Sequence, residues 1–288
     1  MHSKMLKRII ICLSIFALLC GCATSDLSKT QERKHRKIAL HGYVYSKVKT
    51  LEDTVREAKA LGADGVVCSG SQRIADRFGN AKFSPDMTAE QKAFVKKLFA
   101  DNKIEFVSYG IWDLSKKHNT PDKYLSLCKE LGIPVFTWEG RPEKIDMWNE
   151  AGKKYGVKIA IHNHQKGCAY PEYVYWNPAL LWELIKDKPN MYACADNGHW
   201  TRSGLDTPAG YRALHGRLAA IHFKDPAQFG VLNLKTDAPL GEGCLDLKKC
   251  LATLDELGYD GYFVIENECV MDNPTETMRK SIKFLREN

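Results

Sequence analysis

From Ile38 to the end of the chain, short and nearly continuous apolar runs alternate with longer amphipathic stretches. The runs are Ile38–Tyr43, Gly65–Ser69, Ile104–Tyr109, Val135–Trp138, Lys158–His162, Met191–Ala195, Leu218–Phe223 and Tyr262–Glu266. Their unbroken hydrophobicity predicts parallel strands buried on both faces. Between them, Leu51–Leu61, Ala89–Asp101, Asp122–Leu131, Pro142–Tyr155, Pro178–Ile185 and Leu247–Leu257 place apolar residues at helical spacing. That arrangement predicts helices packing one face on a sheet.

The joints repeat as well. Gly62, Gly132, Gly156 and Gly258 each follow a helical stretch and precede a strand by two or three residues. A glycine there closes the helix in the left-handed conformation. Thr50 ahead of Leu51-Glu52-Asp53, and Thr88 ahead of Ala89-Glu90-Gln91, read as helix N-caps, the second a capping box. Eight strands alternating with helices predict an α/β fold, a single-domain (β/α)8 TIM barrel over residues 38–288. An open doubly wound sheet fits less well, because no Gly-rich phosphate fingerprint follows any strand.

The N-terminus departs from this rhythm. Lys4, Lys7 and Arg8 precede an apolar run from Ile9 to Leu19, then Cys20, Gly21 and Cys22. The order is that of an export signal, and the run is shorter than the roughly 20 residues a membrane-spanning helix requires. Leu19-Cys20-Gly21-Cys22 resembles a bacterial lipobox, which makes 1–21 a lipoprotein signal peptide and Cys22 the lipidated residue. Residues 22–37 are polar and read as a tether. The expected location is the cell envelope, the membrane being a partner through the lipid and the domain facing the periplasm.

Of the formal net charge of +7, part lies in that leader and in Arg33-Lys34-His35-Arg36-Lys37. The body carries no basic stripe with interleaved aromatics, so nucleic acid is not expected as a partner. Three of the ten cysteines fall in the leader. The other seven form no CxxC pair, and several sit inside apolar runs, where cysteine acts as a small buried hydrophobe. An exported location permits disulfides, and an odd number leaves at least one thiol unpaired in a monomer.

A barrel of this class carries its active site at the carboxyl ends of its strands. Those ends read Trp138-Glu139 on the fourth, His162-Asn163-His164 on the fifth and Asp196-Asn197-Gly198-His199-Trp200 on the sixth. They continue with His222-Phe223-Lys224-Asp225 on the seventh and Glu266-Asn267-Glu268 on the eighth. Five consecutive strands thus terminate in metal-ligand types. Mixed imidazole and carboxylate donors suit one divalent ion such as Mn, Zn, Co or Mg. A metal in such a cup polarises a sugar carbonyl and eases loss of the neighbouring carbon-bound proton. His41, on the first strand, is a further histidine that could face the cup. Trp112, Trp138, Trp176 and Trp200 are candidate apolar walls for a sugar ring, or core packing.

At these strand ends the chain resembles the xylose-isomerase-like barrel superfamily, which includes sugar isomerases, sugar epimerases, inosose dehydratases and family-2 AP endonucleases. The likeness is carried by the His-Asn-His at 162–164, Asp-x-Gly-His at 196–199, His-x-Lys-Asp at 222–225, Gly241-Glu242-Gly243 and Glu266. It covers nearly everything from Ile38 onward. The resemblance implies Asp196, His222 and Glu266 as metal ligands, His199 as a contact to substrate hydroxyls and Lys224 as a donor or proton carrier. Many epimerases of the superfamily place a glutamate where this chain has His162, as ligand and as one of two opposed catalytic carboxylates. Glu139, one strand earlier, is then the best substitute for the fourth ligand. His162 is left as a substrate contact, a neighbour of the ligands or itself a ligand, with Trp138 and Trp200 beside the substrate.

Together these readings predict a metal-dependent sugar isomerase or epimerase-like enzyme acting on a sugar, keto-sugar or polyol. Glu266 and either His164 or Lys224 would carry the catalysis. The histidine-rich fifth strand end looks more like the dehydratase and keto-sugar lyase branches. A nuclease would need extra ligands and a DNA-binding face, and this chain shows no such surplus of basic residues; a non-catalytic sugar-binding lipoprotein would not need a full ligand set with Lys224.

Overall fold

The computed structural model describes residues 35–110, 120–168, 172–232, 237–270 and 272–288. The leader, Cys22 and Trp112 lie outside the described residues. Among the described residues, no helix is long and apolar enough to cross a membrane.

Eight parallel strands close into a barrel. They are Lys37–His41 (β1), Gly65–Cys68 (β2), Glu105–Tyr109 (β3), Val135–Trp138 (β4), Lys158–His162 (β5), Met191–Asp196 (β6), Leu218–Phe223 (β7) and Tyr262–Ile265 (β8). Each pairs with its neighbours in chain order, and β1 closes on β8 with Ala39 opposite Val264. The barrel begins one residue before Ile38. Arg36, read as tether, is buried beneath it and bonds both carboxylate oxygens of Asp255, at 2.9 and 2.7 Å.

The helices follow the predicted periodicity. Leu51–Leu61 and Ala89–Asn102 start at Thr50 and Thr88, each with a complete capping box, closed by Asp53 and Gln91 respectively. Gly62, Gly132, Gly156 and Gly258 all adopt the left-handed conformation, with φ between 66° and 77°. Pro142–Lys144 is a 3-10 turn, so the helix expected over Pro142–Tyr155 becomes regular only from Ile145. Beyond the predicted set, Asn197–Arg202, Thr207–Ala213 and Thr275–Glu287 are also helical.

Side chains alternate across a strand, and that alternation sorts the residues. Large residues such as Phe136, Trp138, Ile159, Ile161, Ile221 and Phe223 face the helices and form the main core. Facing inward are two small clusters, Ala39, Val67, Val107 and Val264 on one side and Val135, Ala160, Cys194 and Ala220 on the other. Three alanines keep this interior narrow. Cys68, Cys128, Cys194 and Cys250 are buried thiols, within the apolar packing predicted for them.

Candidate metal centre

Two residues beyond each inward-facing apolar residue, the chain again faces inward, now at the open end. The step leads from Ala39 to His41, from Ala160 to His162, from Cys194 to Asp196, from Ala220 to His222 and from Val264 to Glu266. Four residues beyond Val135 stands Glu139. Strands β6 and β7 are in register here, with Asp196 paired to His222. The polar cup is thus a continuation of the apolar interior by one more turn of the pleat.

His162, Asp196, His222 and Glu266 are all buried, and each offers a ligand atom within 4.8 Å of the others. His162 Nε2 lies 3.3 Å from Asp196 Oδ2, and His222 Nδ1 lies 2.9 Å from Glu266 Oε2. Despite that approach, neither ring nitrogen of His222 nor Glu266 Oε2 has an aligned hydrogen-bond partner among the described residues. Buried polar atoms left this way are costly unless something else binds them. Donor type, spacing and these unsatisfied atoms together fit one divalent cation.

Glu139, expected as the fourth ligand, stands outside that quartet. Its carboxylate makes a close hydrogen bond with His162 Nδ1 and lies 3.4 Å from His164 Nδ1. A carboxylate accepting Nδ1–H leaves the Nε2 lone pair of His162 directed at the quartet, as outer carboxylates do for ligating histidines. Glu139 forms a second group with His162 and His164, whose ligand atoms also lie within 4.8 Å of one another.

Lys224 crosses the cup from the end of β7. Its Nζ is 3.1 Å from Asp196 Oδ2, 3.3 Å from Glu266 Oε2 and 2.7 Å from Glu268 Oε1. It does not pair with Asp225, whose carboxylate instead accepts the backbone N–H groups of Gly241, Gly243 and Leu245 at 2.9–3.1 Å. Gly198 explains the Asp-x-Gly-His sequence: a Cβ there would lie 2.5 Å from Cβ of Lys224. Gly243 is constrained likewise, because a Cβ would strike the Asp225 carboxylate.

Asp196 also caps the short helix after β6, accepting His199 N–H at 2.9 Å. Asn163 locks the end of β5 to β6, donating to the Asp196 carbonyl at 3.0 Å and accepting its N–H at 2.9 Å. His199 is thereby held over the cup, its ring centroid 4.6 Å from that of His164. Arg202 Nη1 approaches His199 Nδ1 at 3.4 Å, so the proton of His199 belongs on Nε2. Arg202 is itself fixed in a buried ion pair with Asp237.

Charge in the cup is unbalanced. Among the described residues, the carboxylates of Glu139, Asp196, Asp237, Glu266 and Glu268 surround Lys224 and Arg202 as the permanent cations. Burial opposes the charge on Lys224, but Asp196, Glu266 and Glu268 outweigh it and hold the ammonium well above its usual range. Burial likewise opposes ionised Asp196 and Glu266. For Asp196, His199, Lys224 and His162 prevail, and for Glu266 it is Lys224, His41 and His222, so both carboxyls sit well below the ordinary range. Burial lowers His162, yet Glu139 and Asp196 raise it to about 10. His222 is raised to about 9 against its own burial, by Cys194 and Glu266. His164, by contrast, is held down by burial. Burial lowers His41 to about 3.

The tryptophans expected beside the substrate are elsewhere. Trp138 has the opposite parity to Glu139 and packs against Trp148 in the helix-facing core, ring centroids 5.6 Å apart. Trp200 packs on Tyr211 and against Gly210. Both indoles are enclosed among these aromatic neighbours. Residues the sequence reading passed over include Asn163 and Asn197; the latter accepts Lys224 N–H at 2.7 Å. Their signal was adjacency to ligand types at strand ends, where backbone groups lose their ladder partners.

The model of the xylose isomerase-like TIM barrel family matches residues 55–288. An inosose dehydratase of Lacticaseibacillus casei is 26% identical over 171 residues, 53% of this chain and 56% of that protein. The chain therefore spans little more than half the length of that relative. An inosose dehydratase of Clostridium perfringens is 24% identical over 232 residues, 72% of this chain and 75% of that one. Among solved structures, the IolI protein with a bound zinc atom superposes with a TM-score of 0.70 at 15% identity, covering 87% of this chain and 97% of that one.

Proposed function

The chain belongs to the xylose isomerase-like TIM barrels, and from that membership we propose a metal-dependent enzyme that removes a proton beside the carbonyl of a sugar, keto-sugar or polyol. Elimination of a neighbouring hydroxyl as water is the outcome the geometry favours. One observation carries the reading: the buried quartet of His162, Asp196, His222 and Glu266 lies between groups of opposite acid–base character.

A divalent ion held by the quartet would supply Lewis-acid polarisation of the substrate carbonyl. The remaining work falls to side chains of the cup. His164, partly open to solvent and held below its ordinary pKa, turns Nδ1 toward the Glu139 carboxylate and is free to accept the carbon-bound proton at Nε2. Lys224, held cationic, donates a proton to the departing hydroxyl. The C–H pair becomes a C=C bond, the hydroxyl leaves as water, and solvent returns a proton from His164 to Lys224. Environments that drive two groups apart in pKa assign base and acid in this way. His199 Nε2–H orients a substrate oxygen, and Glu266, which pairs with Lys224, would also hold the ion.

Epimerisation by two like carboxylates is less well served. It would call on interchangeable bases, whereas one flank here carries neutral imidazole and the other ammonium. The matched inosose dehydratases support elimination in the same direction. We also propose that the barrel acts from the cell envelope through lipidated Cys22; palmitate labelling of the native chain, absent in Cys22→Ala, tests it.

The test of the reaction is hydrogen exchange in D₂O. The Mn²⁺-loaded protein is offered inosose and neutral ketoses, with mass and ultraviolet detection. Water loss with a growing enone absorbance supports elimination, and deuterium uptake without dehydration converts the reading to isomerisation. Absence of both with every compound overturns it.

A further inference from the structure

His41 has no part in the quartet, yet its place in the cup is as well defined as theirs. It ends β1, two residues beyond inward-facing Ala39, and is fully buried. Its ring meets that of His222 edge to face, centroids 4.9 Å apart. His41 Nδ1 accepts the backbone N–H of Tyr43 at 3.1 Å, capping the short helical turn Gly42–Tyr45. A nitrogen that accepts cannot carry the proton of a neutral imidazole, so the proton lies on Nε2. That same tautomer removes the Nε2 lone pair and rules His41 out as a further metal ligand. His41 Nε2 is buried with no hydrogen-bond partner among the described residues.

We propose that His41 Nε2–H is a substrate-binding donor, set to hold an uncharged acceptor oxygen, hydroxyl or carbonyl, of a neutral polyhydroxy ligand. The inference rests on the proposed function above and adds a residue and a recognition chemistry to it. His199 repeats the arrangement from the end of β6. Its Nδ1 is occupied by Arg202, and its Nε2, 3.8 Å from Asp196 Oδ2, is likewise buried with no hydrogen-bond partner among the described residues. Two imidazole donors from separate strands therefore flank the quartet. A ligand that satisfies both presents oxygens to each side of the one nearest the quartet, as a polyol or keto-polyol does. The donors are neutral, and Lys224 and Arg202 are already committed to carboxylates.

The test separates binding from folding and from metal. His41→Asn keeps an acceptor for Tyr43 N–H, asparagine being a favoured N-cap, and removes the far N–H. His41→Gln sets an amide N–H close to the place of imidazole Nε2. Titration calorimetry of the Mn²⁺-loaded proteins with inosose and with D-fructose reads the outcome. Expected is a dissociation constant raised roughly tenfold in His41→Asn, as for loss of one buried hydrogen bond. His41→Gln should recover most of that loss, and metal content should stay equal in all three proteins. Unchanged affinity in His41→Asn, or loss of metal from it, overturns the inference alone. Failure of the native protein to bind either compound overturns it together with the reading of the site.

Discussion

The rim of the barrel divides into two arcs built on the same plan. Over β2 and β3 the strands end in Ser69, whose hydroxyl meets Ser71 at 2.8 Å, and in Tyr109, packed on Phe83 and Phe136. Over β4 to β8, and on round to β1, they end in Glu139, His162, Asp196, His222, Lys224, Glu266 and His41. Below both arcs the interior is the same narrow packing of valine, alanine and cysteine. Closure of the barrel needs only small residues inward and large ones toward the helices, and both arcs supply them. Chemistry is added by the residue one pleat further along. Changes in the polar arc should then remove function while sparing the fold, and removal of the Ser69 hydroxyl from the quiet arc should spare both.

The largest expected break is Asp196→Ala. It removes the group that faces His162, His199 and Lys224 together, and turnover should fall on the order of a thousandfold, as when a principal electrostatic group is lost. Far-ultraviolet dichroism should remain native, while Ser69→Ala in the other arc should leave metal content and turnover unaltered. Gly198→Ala tests close packing in place of charge: its methyl group must displace Lys224, and kcat should drop by up to about a hundredfold with metal still bound. Glu139→Gln weakens the acceptor that orients His162, and metal affinity measured by competition with a chelator should fall about 10–100-fold.

Trp138→Phe reverses the comparison, because Trp138 neighbours Glu139 yet faces the core. It should cost about 1–3 kcal/mol of stability by denaturant titration with KM unchanged. A raised KM would restore the sugar-wall role. The smallest effect concerns pH. In metal-free protein, burial lowers His162 but Glu139 and Asp196 raise it to about 10, above the ordinary 6.5. Its stabilisation is therefore complete below about pH 6.5 and is lost as pH rises through 10. The Tm of chelated protein should fall between pH 7 and 10, and Glu139→Gln should flatten that fall.

Much of this was legible in the sequence, and the exceptions share a cause. Strand runs and glycine caps are local signals, and Gly62, Gly132, Gly156 and Gly258 needed no tertiary information. The choice between Glu139 and His162 did. Both end a strand in ligand types, and only the distances across the barrel put His162 with Asp196, His222 and Glu266 and set Glu139 behind it. Trp138 and Trp200 were misplaced because an aromatic at a strand end looks the same whether it faces cup or helix. Alternation from Val135 through Thr137 to Glu139 would have assigned Trp138 to the outer face. The tautomers of His41 and His199 depend on Tyr43 N–H and Arg202, contacts no spacing rule supplies.

X-ray absorption of the zinc-loaded protein reaches the central claim most directly. Four nitrogen or oxygen ligands near 2.0–2.1 Å, with outer-shell scattering from two imidazoles, are expected for His162 and His222 with Asp196 and Glu266. Scattering from a single imidazole would put a carboxylate such as Glu139 in the place of His162, and failure to retain one zinc per chain would contradict the metal centre itself.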